Sequence, residues 1–325
     1  MLLVADIHLT DTPDEAYRWT VFDRIMEYGR AHDGAPLRIL GDLADRKDRH
    51  SGVLANAIMD KMQELAGIFD EIIIIKGNHD DPLVGKPFWN ILSKLDRVSF
   101  LDKVTYFKNT GELFLPYTRD FSSWDFSKYS DAKVIFMHDT VTNAYIHHRK
   151  YTNDKMPPLP KDIPIYAGDI HYPQTINGNF TYVGAPHPVR FGDDHPCRML
   201  EIDDHTFQIT DEIKLPAIEK RIIEIQSLDG LEDVQVEHGD QVRVRLKLAA
   251  SRVSQWAEDE RAVMEWAELN QVKVASVEAM VETGPKTEFD GRFLDDDYAI
   301  FQEFCVAEGL TGDVKDAGLA LLNGK

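Results

Sequence analysis

Cysteine is almost missing from this chain of 325 residues: Cys197 and Cys305 are its only two, too few for a disulfide framework. Both read most simply as small buried hydrophobes in a reducing compartment. No apolar run approaches the ~20 residues that span a bilayer. The opening run Leu2-Leu3-Val4-Ala5 has no basic lead and no cleavage site. No signal peptide is therefore expected, and a cytoplasmic protein without a membrane segment is. Positive charge is scarce too: 36 Lys and Arg stand against 56 Asp and Glu, a net charge of −20. That excludes a broad basic nucleic-acid surface, which needs clustered cations. It leaves a local site open, because formal charge ignores cations held by acidic side chains. There is no internal repeat and no low-complexity tract. What is present is ordinary for a globular protein, 43% hydrophobic and 28% charged, with length for one large domain and a smaller one.

The strongest local signal is Ile72-Ile73-Ile74-Ile75-Lys76-Gly77-Asn78-His79-Asp80. Four isoleucines predict a strand buried on both faces, and an amide, an imidazole and a carboxylate stand at its tip. A strand over Met1–Ala5 precedes it, then a helix opened by Thr12-Pro13-Asp14-Glu15 with Trp19, Phe22, Ile25 and Met26 on one face. A strand over Leu37–Leu40 follows, then a helix with the stripe Leu54, Ile58, Met62, Leu65. Strand–helix alternation of this kind implies a mainly parallel sheet. A short helix is expected within 87–98 and strands near 104–107, 113–116, 133–137, 165–167, 181–184 and 198–202. The segment 152–164, with four prolines, reads as a loop. Past residue 214 the pattern changes. Val242, Val244, Leu246 and Leu248 alternate with polar residues, a helix is expected over 254–270 and a strand over 272–281. We place domains at 1–215, 216–285 (α+β) and 286–325, a tail with helical stretches near 298–307 and 314–322.

Five strand ends carry side chains able to bind metal: Asp6 and His8; Asp42, with Asp45; Asn78 and His79; His138; Asp169 and His171. Loops at one edge of an open α/β sheet converge on a common crevice. Mixed carboxylate, imidazole and amide donors suit Mn²⁺, Fe²⁺, Zn²⁺ or Mg²⁺. So many donors exceed one ion and suit a pair about 3.5–4 Å apart sharing a carboxylate, an arrangement that serves phosphoester hydrolysis.

The series Asp-x-His, Gly-Asp-x-x-Asp, Gly-Asn-His-Asp, a lone His and Gly-x-x-His resembles the calcineurin-like metallophosphoesterases. Within them the chain is most similar to SbcD-type nuclease subunits of double-strand-break repair complexes. Three features carry this: Asp80 at the end of the third motif, the run from Tyr182 to Phe191, and the strand–helix–strand unit that follows. The resemblance implies an α/β metallophosphoesterase fold, a two-sheet αββα sandwich, with an α+β capping domain. It implies that Asp6, His8, Asp42 and His171 hold one ion, that Asp42, Asn78, His138 and Asp169 hold the other, and that Mn²⁺ or Mg²⁺ fills both. His79 would face the scissile phosphate rather than bind metal, and Asp80 would orient it. The family usually has His where this chain has Asp169, which can still ligate a hard cation.

The implied function is a metal-dependent DNA exonuclease and endonuclease, paired as a homodimer and working with an SbcC-type ATPase. A phosphodiesterase for small phosphoesters and a non-catalytic subunit on the same scaffold are the alternatives. Arg46, Lys47, Arg49, His50 and Arg190 are candidate phosphate contacts or plain solvated charge, and His147-His148-Arg149-Lys150 reads as a solvated patch. The stripe from Leu54 to Leu65 is core or, as the sharper option, a dimer helix. The tail is a candidate surface for the ATPase.

Overall fold

In a computed structural model, which describes residues 1–282 apart from 48, 83–84 and 147–148, the isoleucine run lies in a strand whose two faces enter different cores. Ile72 and Ile74 join one apolar cluster, Ile73 and Ile75 another. A two-residue side-chain period makes this the expected result for a strand in the middle layer of a sandwich.

In chain order the strands are β1 (Leu2–Val4), β2 (Pro36–Ile39), β3 (Glu71–Ile75), β4 (Val98–Leu101), β5 (Thr105–Phe107), β6 (Glu112–Leu115), β7 (Val134–His138), β8 (Tyr145–Ile146), β9 (Arg149–Lys150), β10 (Ile165–Gly168), β11 (Gln174–Ile176), β12 (Phe180–Tyr182), β13 (Arg198–Ile202), β14 (Ile209–Lys214), β15 (Lys220–Ile225), β16 (Gln241–Ala249) and β17 (Lys273–Glu282). One six-stranded sheet has the order β14-β13-β1-β2-β3-β4, the other β11-β12-β10-β7-β6-β5. Strands β1 to β4 pair in parallel, and β13 and β14 extend that sheet antiparallel. Strands β6, β7, β10 and β12 are parallel, with antiparallel β5 and β11 at the edges.

Three apolar layers result. Helices α1 (Val21–Ala31) and α2 (Gly52–Ala66) cover the outer face of the first sheet. Leu54, Ile58, Met62 and Leu65 are all buried in that layer, so the stripe is core and is not available to a second copy. Ser51 caps α2 by accepting from Leu54 N–H at 3.0 Å. The expected first helix opens as 3-10 turns over Pro13–Thr20 and becomes α only at Val21. Between the sheets, Leu3, Ile73 and Ile75 meet Phe114, Val134 and Phe136. The far face of the second sheet is covered by Trp124 with Phe121, Phe126 and Tyr129 of short 3-10 turns, and by Met156, Leu159 and Ile163 of the proline-rich loop. Buried Arg38 on β2 binds Glu112 on β6 at 2.8 Å, an ion pair joining the two sheets.

Contacts divide the chain into two units. The first comprises Met1–Ile223, Val234–Val244 and Met264–Ser276. Among the described residues the second comprises Glu224–Asp233, Arg245–Val263 and 277–282. Strands β15-β16-β17 form a three-stranded sheet in that order, with helix α3 (Trp256–Leu269) between β16 and β17 in sequence. The expected tail helices, Cys305 and the pair His147-His148 lie outside the described residues. Among the described residues no helix is long and apolar enough to cross a membrane.

Candidate metal centre

Every predicted donor follows or ends a parallel strand: Asp6 and His8 after β1, Asp42 after β2, Asn78 after β3, His138 at the end of β7, and Asp169 and His171 after β10. The loops are stitched together. His8 N–H donates to the Asp42 carbonyl at 2.8 Å, His79 N–H to Asp42 Oδ1 at 2.7 Å and Asp169 N–H to Asp6 Oδ1 at 2.9 Å. The backbone is strained where the donors stand: φ is +54° at Asp6, +49° at His8, +52° at Asp42 and +90° at Asp169. Side chains other than glycine seldom occupy that region, and such strain marks functional sites. Gly77 has no alternative, because a Cβ there would run into the Asp42 carboxylate and backbone nitrogen.

Asp42 is the shared element. Its Oδ1 lies 3.5 Å from His138 Nε2 and its Oδ2 lies 3.4 Å from His8 Nε2. Asp6, Asp42 and His138, all buried, bring donor atoms within 4.8 Å of one another, and so do His8, Asp42 and His79. Asp169 Oδ1 lies 3.8 Å from His138 Nε2 and accepts from Asn78 Nδ2 at 3.4 Å. His171 Nε2 faces His8 Nε2 at 3.3 Å.

These atoms fit divalent cations. His138 Nδ1 donates to the Leu40 carbonyl at 2.7 Å, which leaves Nε2 as a bare lone pair pointed at two carboxylates. Only a cation or a proton reconciles those three acceptors. Asp6 Oδ2, Asn78 Oδ1 and His138 Nε2 are buried with no hydrogen-bond partner. Buried polar atoms are normally satisfied, so their convergence marks a place for a ligand.

Electrostatics agree. Burial drives the Asp6 carboxyl above its ordinary value and the Asp42 carboxyl well above it. Burial alone would depress His138, but Asp42, Asp6 and Asp169 outweigh it and raise the imidazole to about 9. Burial holds His8 well below its usual range and also lowers His79. Without positive charge, this cluster takes up protons.

Two placements differ from expectation. Asp80 does not orient His79: its Oδ2 folds back to accept from Gly77 N–H at 2.9 Å and Leu43 N–H at 3.4 Å, bracing the turn. The His79 ring is held instead by Nδ1 donating to the Asp45 carbonyl. Asp45 also places a carboxylate oxygen 3.6 Å from His8 Nδ1 and accepts from Arg18 Nη1 at 3.1 Å.

Arg18 and Asp193 carried no motif and were missed. Buried Arg18 donates to the His8 carbonyl at 2.6 Å and the Val189 carbonyl at 3.1 Å, and pairs with Glu15 at 2.8 Å. Asp193 Oδ2 sits 3.3 Å from His171 Nδ1 and accepts from Arg190 N–H at 2.8 Å. Despite burial, these bonds hold the Asp193 carboxyl below the usual range. His187 is structural, its Nε2 donating to the Ile7 carbonyl at 2.8 Å. Arg46, Lys47, Arg49 and Arg190 are exposed, while His50 is half-buried beside Phe88 and Trp89.

A two-sheet α/β sandwich with a carboxylate shared between two donor groups at its strand ends is a metallophosphoesterase fold. The calcineurin-like phosphoesterase family matches over residues 1–204, and the chain belongs to that family, whose members use divalent metals. Comparison with curated proteins finds no match. Among solved structures, the Pseudomonas putida nuclease MPE is similar at 14% identity over 66% of this chain and 86% of that one, with a TM-score of 0.33.

Proposed function

We propose that this chain is a divalent-metal-dependent DNA nuclease of the SbcD type, acting with an SbcC-type ATPase and a second copy of itself. The observation that supports it most is Asp42, whose two oxygens serve two donor groups at once. On this reading Asp6, His8, Asp42 and His171 hold one ion, and Asp42, Asn78, His138 and Asp169 hold the other. Two bound ions, best Mn²⁺, supply the Lewis acidity that activates water toward a phosphodiester phosphorus. The chain does the rest. Asp45 faces the His8 ring at Nδ1 while Arg18 holds the His8 carbonyl, and Asp193 faces His171. Asp169 takes hydrogen bonds from Asn78 and from the Thr140 hydroxyl, so the carboxylate at the family's histidine position is held in place. His79, anchored through Nδ1, turns Nε2 to the leaving oxygen. With Nδ1–H given to Asp45, Nε2 carries a proton only in the imidazolium form, so the proton it delivers is lost as pH rises.

Incubation with Mn²⁺ and either linear duplex DNA or bis-p-nitrophenyl phosphate tests this. DNA cleavage supports the nuclease. Ester hydrolysis without DNA cleavage selects a phosphodiesterase for small substrates, and neither activity selects a non-catalytic subunit. Asp42→Ala is expected to lose both ions in a metal analysis, and retention of either contradicts its shared role.

A further inference from the structure

Beside the metal centre lies a cavity of about 340 Å³ whose wall includes Asp169 and His171. Tyr145 and Tyr172 line it too, both half exposed. One side chain ties their backbones together. Gln174 Oε1 accepts from Tyr145 N–H at 2.8 Å, while its Nε2 donates to the Tyr145 carbonyl at 3.0 Å and the Tyr172 carbonyl at 3.4 Å. An aromatic residue of β8 and one of the loop after β10 are thus fastened to one amide.

The remaining lining is polar and differentiated. Arg190 is exposed and makes no ion pair with any described residue. His195 is buried, its Nδ1 lies 3.4 Å from the Pro196 carbonyl, and its Nε2 has no partner. Donation from Nδ1 leaves Nε2 as an acceptor suited to an exocyclic amino group. Asp194 also lines the cavity, as does Asp193, which is held by His171 and the Arg190 N–H.

We propose that this cavity is a subsite for one unpaired nucleotide of the DNA substrate, with Tyr145 and Tyr172 as the stacking platform for its base and Arg190 as its phosphate contact. The inference rests on the nuclease reading and gives it a substrate form. The volume is at the small end of ligand sites, roughly 300–1,000 Å³, and takes a nucleotide rather than a duplex. A base in a duplex has both faces stacked, so only an unpaired one can turn onto the tyrosines. Aromatic stacking tolerates every base, so the subsite selects unpaired ends rather than sequence.

The test is a fluorescence titration in Ca²⁺ with a short single-stranded oligodeoxynucleotide carrying terminal 2-aminopurine, one version for each end. Binding to the wild-type chain is expected to quench one version. The double variant Tyr145→Ala/Tyr172→Ala is expected to lose the quench and bind about tenfold more weakly, the scale of one lost base–aromatic stack. Tyr172→Phe, which keeps the ring, retains both signals and guards against a folding defect. An oligonucleotide with an abasic terminus is expected to bind the wild-type chain more weakly by the same factor. Equal quench and affinity in the double variant, or equal wild-type affinity for the abasic strand, overturns the subsite. Cleavage of linear DNA by the wild-type chain with Mn²⁺ reads the parent proposal separately. DNA cleavage without base-dependent binding sinks the subsite alone. Base-dependent binding without cleavage of DNA or ester keeps the subsite and sinks the nuclease.

Discussion

A histidine whose Nδ1–H is held by a backbone carbonyl has only Nε2 left to take a cation or a proton, and His138 and His79 are both held in that way. Their surroundings separate them. His138 Nε2 looks into carboxylates, whereas His79 is anchored on Asp45 at the rim of the donor cluster. His79→Ala is therefore expected to cut turnover by about 10²–10⁴-fold, the usual worth of a positioned acid. Metal content, measured by mass spectrometry, should not change. Metal loss would instead make His79 a ligand beside His8 and Asp42. His187 yields a prediction about stability. Burial, with Arg18 nearby, lowers it from 6.5 to about 3. The unfolded chain therefore binds a proton that the folded one refuses between those values, and stability falls as pH drops through that window. His187→Gln keeps a donor for the Ile7 carbonyl and removes the titration. Urea unfolding at stepped pH should show the acid slope flattened by about 1.4 kcal/mol per pH unit, one proton's worth.

At the scale of elements, the parallel strands carry the site and the glycines after them let the loops close. β3 is anchored on both faces, so the Gly77 turn cannot shift to make room for a side chain. Gly77→Ala would push the Asp42 carboxylate away. We expect destabilisation of about 1–3 kcal/mol, typical of overpacking, together with weaker metal binding. Unchanged Mn²⁺ affinity by calorimetry would show that the turn can yield. Behind the strands, Arg18 ties the loop after β1 to Asp45 and to the segment holding Asp193. That network explains how residues from both sheets keep a common geometry.

For the whole molecule, the charge of −20 and the buried carboxylates act together. A cation bound only by the folded chain stabilises it by mass action, about 2.7 kcal/mol at a hundred times its dissociation constant. Mn²⁺ should raise the melting temperature and a chelator should lower it, as scanning calorimetry can read; Asp42→Ala should abolish the difference. Much of this was legible in the residues. The isoleucine run, the strand–helix alternation and the donors at strand ends are local patterns, because a strand's two faces and its tip are set by neighbours in sequence. The edge strands β4 and β14 were not legible, since neither carries a strong alternating run. Nor was the hand that holds His79. Asp80 is its neighbour in sequence, yet the bond comes from Asp45. Arg18, Asp193 and the Gln174 clamp were equally silent, having no spacing to announce them. The amino-acid sequence by itself determined which side chains stand at the strand tips and so what chemistry they can do. Only the stacking of two sheets decided which of them share Asp42, because register between distant loops is set by packing across the interior and not by spacing along the chain.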